Sequence, residues 1–201
     1  MKRIWGRTYG EQIDYHLADG RAPIFDEGQP GRVAKAREYV SRLLYELDLG
    51  RPAVIREIGC GAGDISGRFS WDHEVYGYDV VPLAEDVVAE RFPKMHFQLI
   101  EAERVTPAKC DILVLCEVLE HLHDPLKIVD AWLPLAKSVV IGHPLNEPEP
   151  YVEPGHIWRY DKEDYENWYI VGGHTMVETV QFSMGPFPEM VLGYGKRRGS
   201  A

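Results

Sequence analysis

The chain is predicted to be an α/β protein. It should form a three-layer sandwich whose mostly parallel sheet closes on an antiparallel hairpin. Three observations predict this. Short apolar runs alternate with amphipathic ones along most of the 201 residues, and strand–helix alternation implies a parallel sheet covered on both faces. The first apolar run, Ala53-Val54-Ile55, leads into Glu57-Ile58-Gly59-Cys60-Gly61-Ala62-Gly63. Such closely spaced glycines after a strand let the backbone turn tightly and approach a ligand. The last two runs lie too close together for a helical crossover, so they must pair as a hairpin.

Taken in order, residues 1–30 are irregular and rich in aromatic residues, with Trp5, Tyr9, Tyr15, His16 and Phe25. They read as an N-terminal arm, either a lid over an acceptor or packing for the sheet. Pro30-Gly31 then opens a leading helix within 31–50. Val33, Ala36, Val40, Leu43, Leu44 and Leu47 share its apolar face, while Arg32, Lys35, Arg37 and Arg42 fall elsewhere. Gly50 and Pro52 end it. The core, 53–195, has strands predicted near 53–58, 74–79, 95–100, 111–116 and 138–142. Helices are predicted near 64–70, 83–91, 124–136 and 161–170, and the hairpin strands near 175–182 and 188–194. The whole chain, 1–201, reads as one domain of a size that buries a proper core.

Composition narrows the function classes. The formal net charge of −10 makes the domain as a whole repel nucleic acid. The basic cluster Lys196-Arg197-Arg198 reads as a solvated tail. No apolar run approaches the roughly 20 residues needed to span a bilayer. Met1 to Gly6 lacks the apolar core of a signal peptide. Cys60, Cys110 and Cys116 are an odd count without a C-x-x-C pair, which suits a reducing, cytoplasmic compartment.

The chemistry begins at the glycine turn. Glu57 before the glycines is wrong for a loop built only for phosphate and right for one holding a cationic or amino-bearing ligand. Asp64 stands where the dinucleotide fingerprint has its last glycine. Asp79 closes the second strand about 20 residues after Gly59, where a carboxylate can accept from both hydroxyls of a ribose. Glu57-x-Gly59-x-Gly61-x-Gly63 resembles motif I of the class I S-adenosylmethionine-dependent methyltransferases. The resemblance implies a Rossmann-like, seven-stranded sheet and S-adenosylmethionine as cofactor. Glu57, Gly59, Gly61, Gly63, Asp79, Val80 and Cys116 would then line the cofactor. Either Glu101 or Glu103 would meet the adenine amino group.

The segment from Asp111 through Cys116-Glu117-Val118-Leu119-Glu120-His121-Leu122-His123-Asp124-Pro125 extends the resemblance. It is similar to the motif IV region of small-molecule methyltransferases, a group that includes ubiquinone-biosynthesis O-methyltransferases. It also resembles the terminal 2′-O-methyltransferases of small RNAs. Glu117, Glu120 and His121 occur at i, i+3 and i+4, which share one face of a helical turn. Two carboxylates and an imidazole converging at a strand's end suit a divalent cation. Members of both resembled groups hold a metal with this pattern, and in the small-RNA enzymes a later histidine completes the site. The loop after the fifth strand offers His143 and His156 for this; His156, ahead of Trp158 and Asp161, matches that placement best. A plainer reading has Glu117 and Glu120 cap or solvate the turn and His121 pack beneath the ligand, and a rival account makes His121 or His143 a metal-free general base; His121, His143 and Glu117 are the catalytic candidates. His123 reads as a surface residue and His174 as structural.

The leading expectation is transfer of a methyl group to oxygen or nitrogen of a small-molecule acceptor, with metal assistance as one version. Two alternatives stay open: a non-catalytic S-adenosylmethionine-binding partner subunit, and an RNA terminal 2′-O-methyltransferase. The Glu-x-x-Glu-His pattern speaks against the first and the net charge against the second.

Overall fold

The computed structural model describes residues 1–3, 30–148, 155–184 and 187–199. The expected aromatic arm falls almost wholly outside them, as does part of the loop before His156. In chain order the described elements are β1 (Lys2–Arg3), α1 (Pro30–Leu47), β2 (Val54–Ile58), β3 (Glu74–Asp79), α2 (Pro82–Arg91) and β4 (His96–Leu99). Then follow β5 (Cys110–Cys116), α3 (Pro125–Trp132), β6 (Ala136–Leu145), β7 (Trp158–Arg159), α4 (Lys162–Val171), β8 (His174–Met184) and β9 (Phe187–Arg197). Seven strands form one sheet in the order β4-β3-β2-β5-β6-β9-β8, with β9 antiparallel to both β6 and β8. Strands β1 and β7 pair separately and antiparallel.

Each face of the sheet carries its own core. On one side α1 and α2 lay Val33, Ala36, Tyr39, Val40, Leu43 and Val88 over Ile55, Val75, Ile112 and Val114. On the other, α3 and α4 bring Ile128, Val129, Trp132, Tyr165 and Trp168 against Ile58, Leu113, Leu115 and Ile141. All seven residues of β5 are buried. A central parallel strand covered on both faces requires such a continuous apolar run. Helix ends follow local chemistry. Asp124 accepts from Lys127 N at 3.2 Å to start α3, and Asp161 and Asp164 form a reciprocal capping box on α4. No helix among the described residues is long and apolar enough to cross a membrane.

Two expectations are corrected. The segment near 64–70 is not an α-helix but turns followed by a 3₁₀ helix, Gly67–Trp71. Gly67 lets the turn press on Phe92, where a Cβ would lie 2.5 Å from the ring, and a glycine interior costs about 1 kcal/mol of helix propensity. The fifth strand of the core, β6, runs on to Leu145, so His143 lies inside a strand, paired with Val191. Pairing of β6 with β5 ends at Cys116 and Gly142. Pro144 falls between the last pair with β5 and the bridge of Leu145 to Tyr160, where the ladder on that side is interrupted.

Strands β2 and β5 lie side by side at the centre, and the connections diverge from them in opposite directions. This is the switch point at which open α/β sheets bind ligands beyond the strands' carboxyl ends. The glycine turn after β2 and residues 117–121 after β5 are therefore neighbours.

Candidate active site

The glycine turn is left-handed at each glycine: φ is +71° at Gly59, +48° at Gly61 and +75° at Gly63. Side chains disfavour that region. Gly59 has a second constraint, because a Cβ would lie 2.8 Å from Val118 of the neighbouring segment. Asp79 organises the turn. Its Oδ2 accepts from Gly61 N at 2.7 Å and its Oδ1 from Val81 N at 2.9 Å, which orders the chain on both sides of Val80. An ionised carboxylate has about four lone-pair sites, so each oxygen retains acceptor capacity for a hydroxyl. Burial raises the Asp79 pKa, and the backbone N–H donors oppose that rise.

Glu57 is buried at 2% exposure. Its Oε2 accepts from Ser66 N at 3.0 Å, bracing the far end of the turn. Desolvation pushes its pKa up to about 8. Asp64 works from outside. Its Oδ1 accepts from Arg91 Nη2 at 2.6 Å, and its carbonyl accepts from Arg37 Nε. Arg91 also donates to Ala62 O. Two helices thus grip the turn through one carboxylate and two carbonyls. The two adenine candidates separate. Glu103 accepts from His123 N at 3.0 Å and bonds Lys127 through its carbonyl, bracing the loop after β5. Glu101 is half-buried and pairs only with the exposed Arg104 among the described residues. Cys116 is buried, and burial pushes its thiol up.

After β5 the chain does not continue as an α-helical turn. Glu117 has φ +56° and Leu119–His121 is a 3₁₀ turn, so the i, i+3, i+4 spacing does not put three side chains on one face. Glu120, His121 and His156 instead converge, each with a donor atom within 4.8 Å of the other two. Glu117 turns to Arg32, with Oε2 2.6 Å from Nη1. Glu120 is 1% exposed and, among the described residues, neither of its carboxylate oxygens has a hydrogen-bond partner. Desolvation and the nearby charge of Glu117 raise its pKa to about 8.

Both histidines are oriented by acceptors. His121 Nδ1 bonds Gly155 O at 2.9 Å, and His156 Nδ1 bonds Glu147 Oε2 at 2.6 Å. A proton on Nδ1 leaves Nε2 as the lone-pair nitrogen. Burial lowers the His156 pKa, but Glu147, Glu120 and Glu117 outweigh it and hold it above its ordinary value. The loop carrying His156 is stitched to the 3₁₀ turn. Ile157 N donates to Glu120 O at 2.7 Å, Tyr160 Oη to Leu119 O at 2.8 Å and Trp158 Nε1 to Leu122 O at 2.9 Å.

His143 does not join this group. It has no exposed surface and is ringed by Tyr160, Tyr165 and Trp168 at centroid distances of 4.7–5.2 Å. Burial lowers its pKa to about 4, so it is neutral and enclosed. His123 is exposed, and His174 is buried on Ala136 O. Sequence reading assigned no role to Arg32 or Glu147. Arg32 reads as one more polar residue on an amphipathic helix. Glu147 is one of several acidic residues in a proline-rich loop, and only the fold shows which of them meets a histidine.

Known proteins share this architecture. A family model described as a methyltransferase domain matches residues 25–178. The trans-aconitate 2-methyltransferase of Methylobacterium radiotolerans is 27% identical over 146 residues, covering 70% of this chain and 54% of that protein. The chain thus spans about half the length of that curated relative. Magnesium protoporphyrin IX methyltransferase from Synechocystis, with bound S-adenosylhomocysteine, superposes with a TM-score of 0.69 at 16% identity. The match covers 94% of this chain and 93% of that one. The N-methyltransferase NodS of Bradyrhizobium japonicum, also bound to S-adenosylhomocysteine, gives 0.68 at 18% identity, covering 94% and 97%. With more than half of its residues matched by the family model, the chain belongs to the methyltransferase domain family.

Proposed function

We propose that this chain transfers a methyl group from S-adenosylmethionine to an oxygen or nitrogen of a small-molecule acceptor, beside a divalent cation held by Glu120, His121 and His156. One observation carries the cation: Glu120 is a buried carboxylate with two unpartnered oxygens, set between two histidines whose Nδ1 atoms are already engaged. Histidines that bind metal ordinarily give their second nitrogen to a carboxylate or carbonyl, as His156 does to Glu147 and His121 to Gly155. Two imidazoles and a carboxylate suit a first-row transition cation better than Mg²⁺, which prefers oxygen and water.

Asp79 would take the ribose hydroxyls on its remaining lone pairs, and Glu101 the adenine amino group. The glycine turn would let the backbone approach the amino-acid end of the donor. The sulfonium supplies a methyl group that is already activated, so the chain's task is alignment in line and exclusion of water. A cation, when bound, would lower the pKa of an acceptor hydroxyl. The burial of His143 favours this route over His143 as base. A small acceptor is supported by the relatives, whose names include trans-aconitate and magnesium protoporphyrin IX. The net charge of −10 weighs against RNA. A bare binding subunit would need no such carboxylate–histidine cluster.

The test joins calorimetry with S-adenosylhomocysteine to methyl transfer on an acceptor panel, with and without chelator. Activity is expected to fall on chelation and return with Mn²⁺. Full activity in metal-free protein would remove the cation from the reading, and no S-adenosylhomocysteine binding would remove the reading itself.

A further inference from the structure

Strands β1 and β7 form a two-residue ribbon apart from the main sheet, with Lys2 opposite Arg159 and Arg3 opposite Trp158. Three of these four residues are cationic, in a chain whose formal net charge is −10. Residues directly opposite in an antiparallel pair share a face, and like charges there are destabilising. A lone two-stranded ribbon is also marginal by itself. This one is held from its flanks. Trp158 Nε1 donates to Leu122 O at 2.9 Å and Asn146 N to Tyr160 O at 2.8 Å, while Tyr160 bridges to Leu145. The pairing therefore forms against the repulsion of Lys2 and Arg159, and that juxtaposition calls for an explanation.

Arg159 is half-buried. Among the described residues its guanidinium makes one hydrogen bond, from Nη1 to Glu147 O at 3.1 Å, although the group offers five donors in a planar fork. The carboxylates around it are engaged elsewhere. Glu147 Oε2 lies 2.6 Å from His156 Nδ1, and Asp161 accepts from Asp164 N to cap α4. Through Glu147 the guanidinium neighbours His156, and through Trp158 the ribbon abuts the segment after β5.

We infer that Arg159, with Lys2 opposite, is a receptor for a carboxylate on the methyl acceptor, which makes the acceptor an anionic small molecule. This rests on the methyl-transfer reading above and names the class of acceptor. A planar anion with two oxygens matches the guanidinium fork through parallel bonds. An anion between the two cations also relieves their repulsion. Lys2 is exposed, so its share is an attraction that salt screens. The receptor lies on the strap after β6 and outside the glycine turn. It can therefore orient the acceptor toward the donor without altering the donor's own contacts.

Matched pairs of probes test this in unmodified protein loaded with S-adenosylhomocysteine and held in chelator, so that no cation can grip the carboxylate. The pairs are 3,4-dihydroxybenzoate with 3,4-dihydroxybenzamide and succinate with succinamide, titrated by calorimetry. At least one carboxylate is expected to bind about 10- to 150-fold tighter than its amide, the range of a charge-assisted hydrogen bond, and to weaken as salt is added. Arg159→Gln should erase that preference, and Arg159→Lys should keep part of it. Lys2→Gln should reduce it by about 2- to 5-fold, as for an exposed ion pair. Amide affinity and S-adenosylhomocysteine affinity should stay within about twofold in all three variants. A purely structural role for Arg159 would instead weaken amide and carboxylate alike. Equal affinity for carboxylate and amide in both pairs, or no binding of any of the four, overturns the carboxylate receptor and leaves the methyl-transfer reading standing. A preference that persists in Arg159→Gln overturns it as well. Failure of the unmodified protein to bind S-adenosylhomocysteine overturns both.

Discussion

The two halves of the site lie side by side at the switch point and are built in opposite ways. The turn after β2 is closed upon itself. Asp79 holds Gly61 and Val81, Glu57 holds Ser66, and Asp64 is gripped by Arg91. The segment after β5 is open. Among the described residues the two carboxylate oxygens of Glu120 have no hydrogen-bond partner and Glu117 has a left-handed backbone, while the two histidines are held through Nδ1. A site for a ligand present in every turnover gains from being formed beforehand. Buried acceptors that are not used carry a desolvation cost, which a bound cation or donor would relieve. On the proposed reading the closed half would serve the methyl donor and the open half the cation and acceptor.

The largest expected effect breaks the closed half. Gly61→Val puts a β-branched residue at φ +48°, which costs about 1–3 kcal/mol of strain, and it disturbs the bond to Asp79. S-adenosylhomocysteine affinity should fall by about a hundredfold or more, with the far-ultraviolet circular dichroism unchanged. Retained affinity would mean that the turn faces elsewhere. Asp79→Ala comes next. It removes a charged acceptor worth about 1.5–3 kcal/mol, so the same titration should weaken by about 10- to 150-fold. An Asp79→Ala protein that binds normally would end the ribose assignment. Neither variant should move Mn²⁺ affinity much, because the cation would rest on other residues.

The open half is probed through Glu147, which reaches His156 but lies outside the converging trio. Glu147→Gln keeps the shape and loses the charge. Removing a carboxylate that orients a metal-binding histidine typically costs 10–100-fold in metal affinity. Mn²⁺ binding should weaken by about tenfold, while S-adenosylhomocysteine binding stays within about twofold. Equal loss of both would show the loop to be a structural brace rather than part of a cation site.

Most of the fold was legible because it is written in local patterns. Strand β3 begins and ends where its apolar alternation predicts, and the close spacing of β8 and β9 predicts their antiparallel pairing. The segment near 64–70 departs from the expected helix because Gly67 packs on Phe92 and Ser66 N is drawn to Glu57, contacts with other elements that its own periodicity does not show. The same cause hid part of the site. The spacing of Glu117, Glu120 and His121 presumes an α-helical turn, while a left-handed residue followed by a 3₁₀ turn sends Glu117 toward Arg32. Contacts such as Arg32 with Glu117 and Glu147 with His156 join residues that no periodic pattern relates. His143 illustrates the converse. A histidine at a strand's end looks available until three aromatic side chains from β6–α4 and from α4 itself close around it.

The smallest expected effect compares two carboxylates, one from each half. Glu57 and Glu120 are both pushed up to about 8 by burial. A carboxyl with a raised pKa stays protonated in the folded chain while it ionises in the unfolded one. The folded state then binds more protons, and stability falls as pH rises from about 4.5 to about 8. Metal-free protein should therefore lose a few degrees of melting temperature over that window, and replacing either residue by glutamine should reduce the slope. The halves part when Mn²⁺ is added. A cation needs Glu120 ionised, so its affinity, and the stabilisation that binding brings, should grow as pH approaches 8. Glu57→Gln should keep that Mn²⁺-dependent gain, because its carboxylate holds Ser66 N and lies outside the converging trio. Glu120→Gln should lose it at every pH, since an amide cannot supply the negative charge. Melting curves at pH 6 and pH 8, with and without Mn²⁺, give the comparison directly. Equal Mn²⁺ responses in the two variants would show that the unpartnered oxygens of Glu120 are not what the cation seeks.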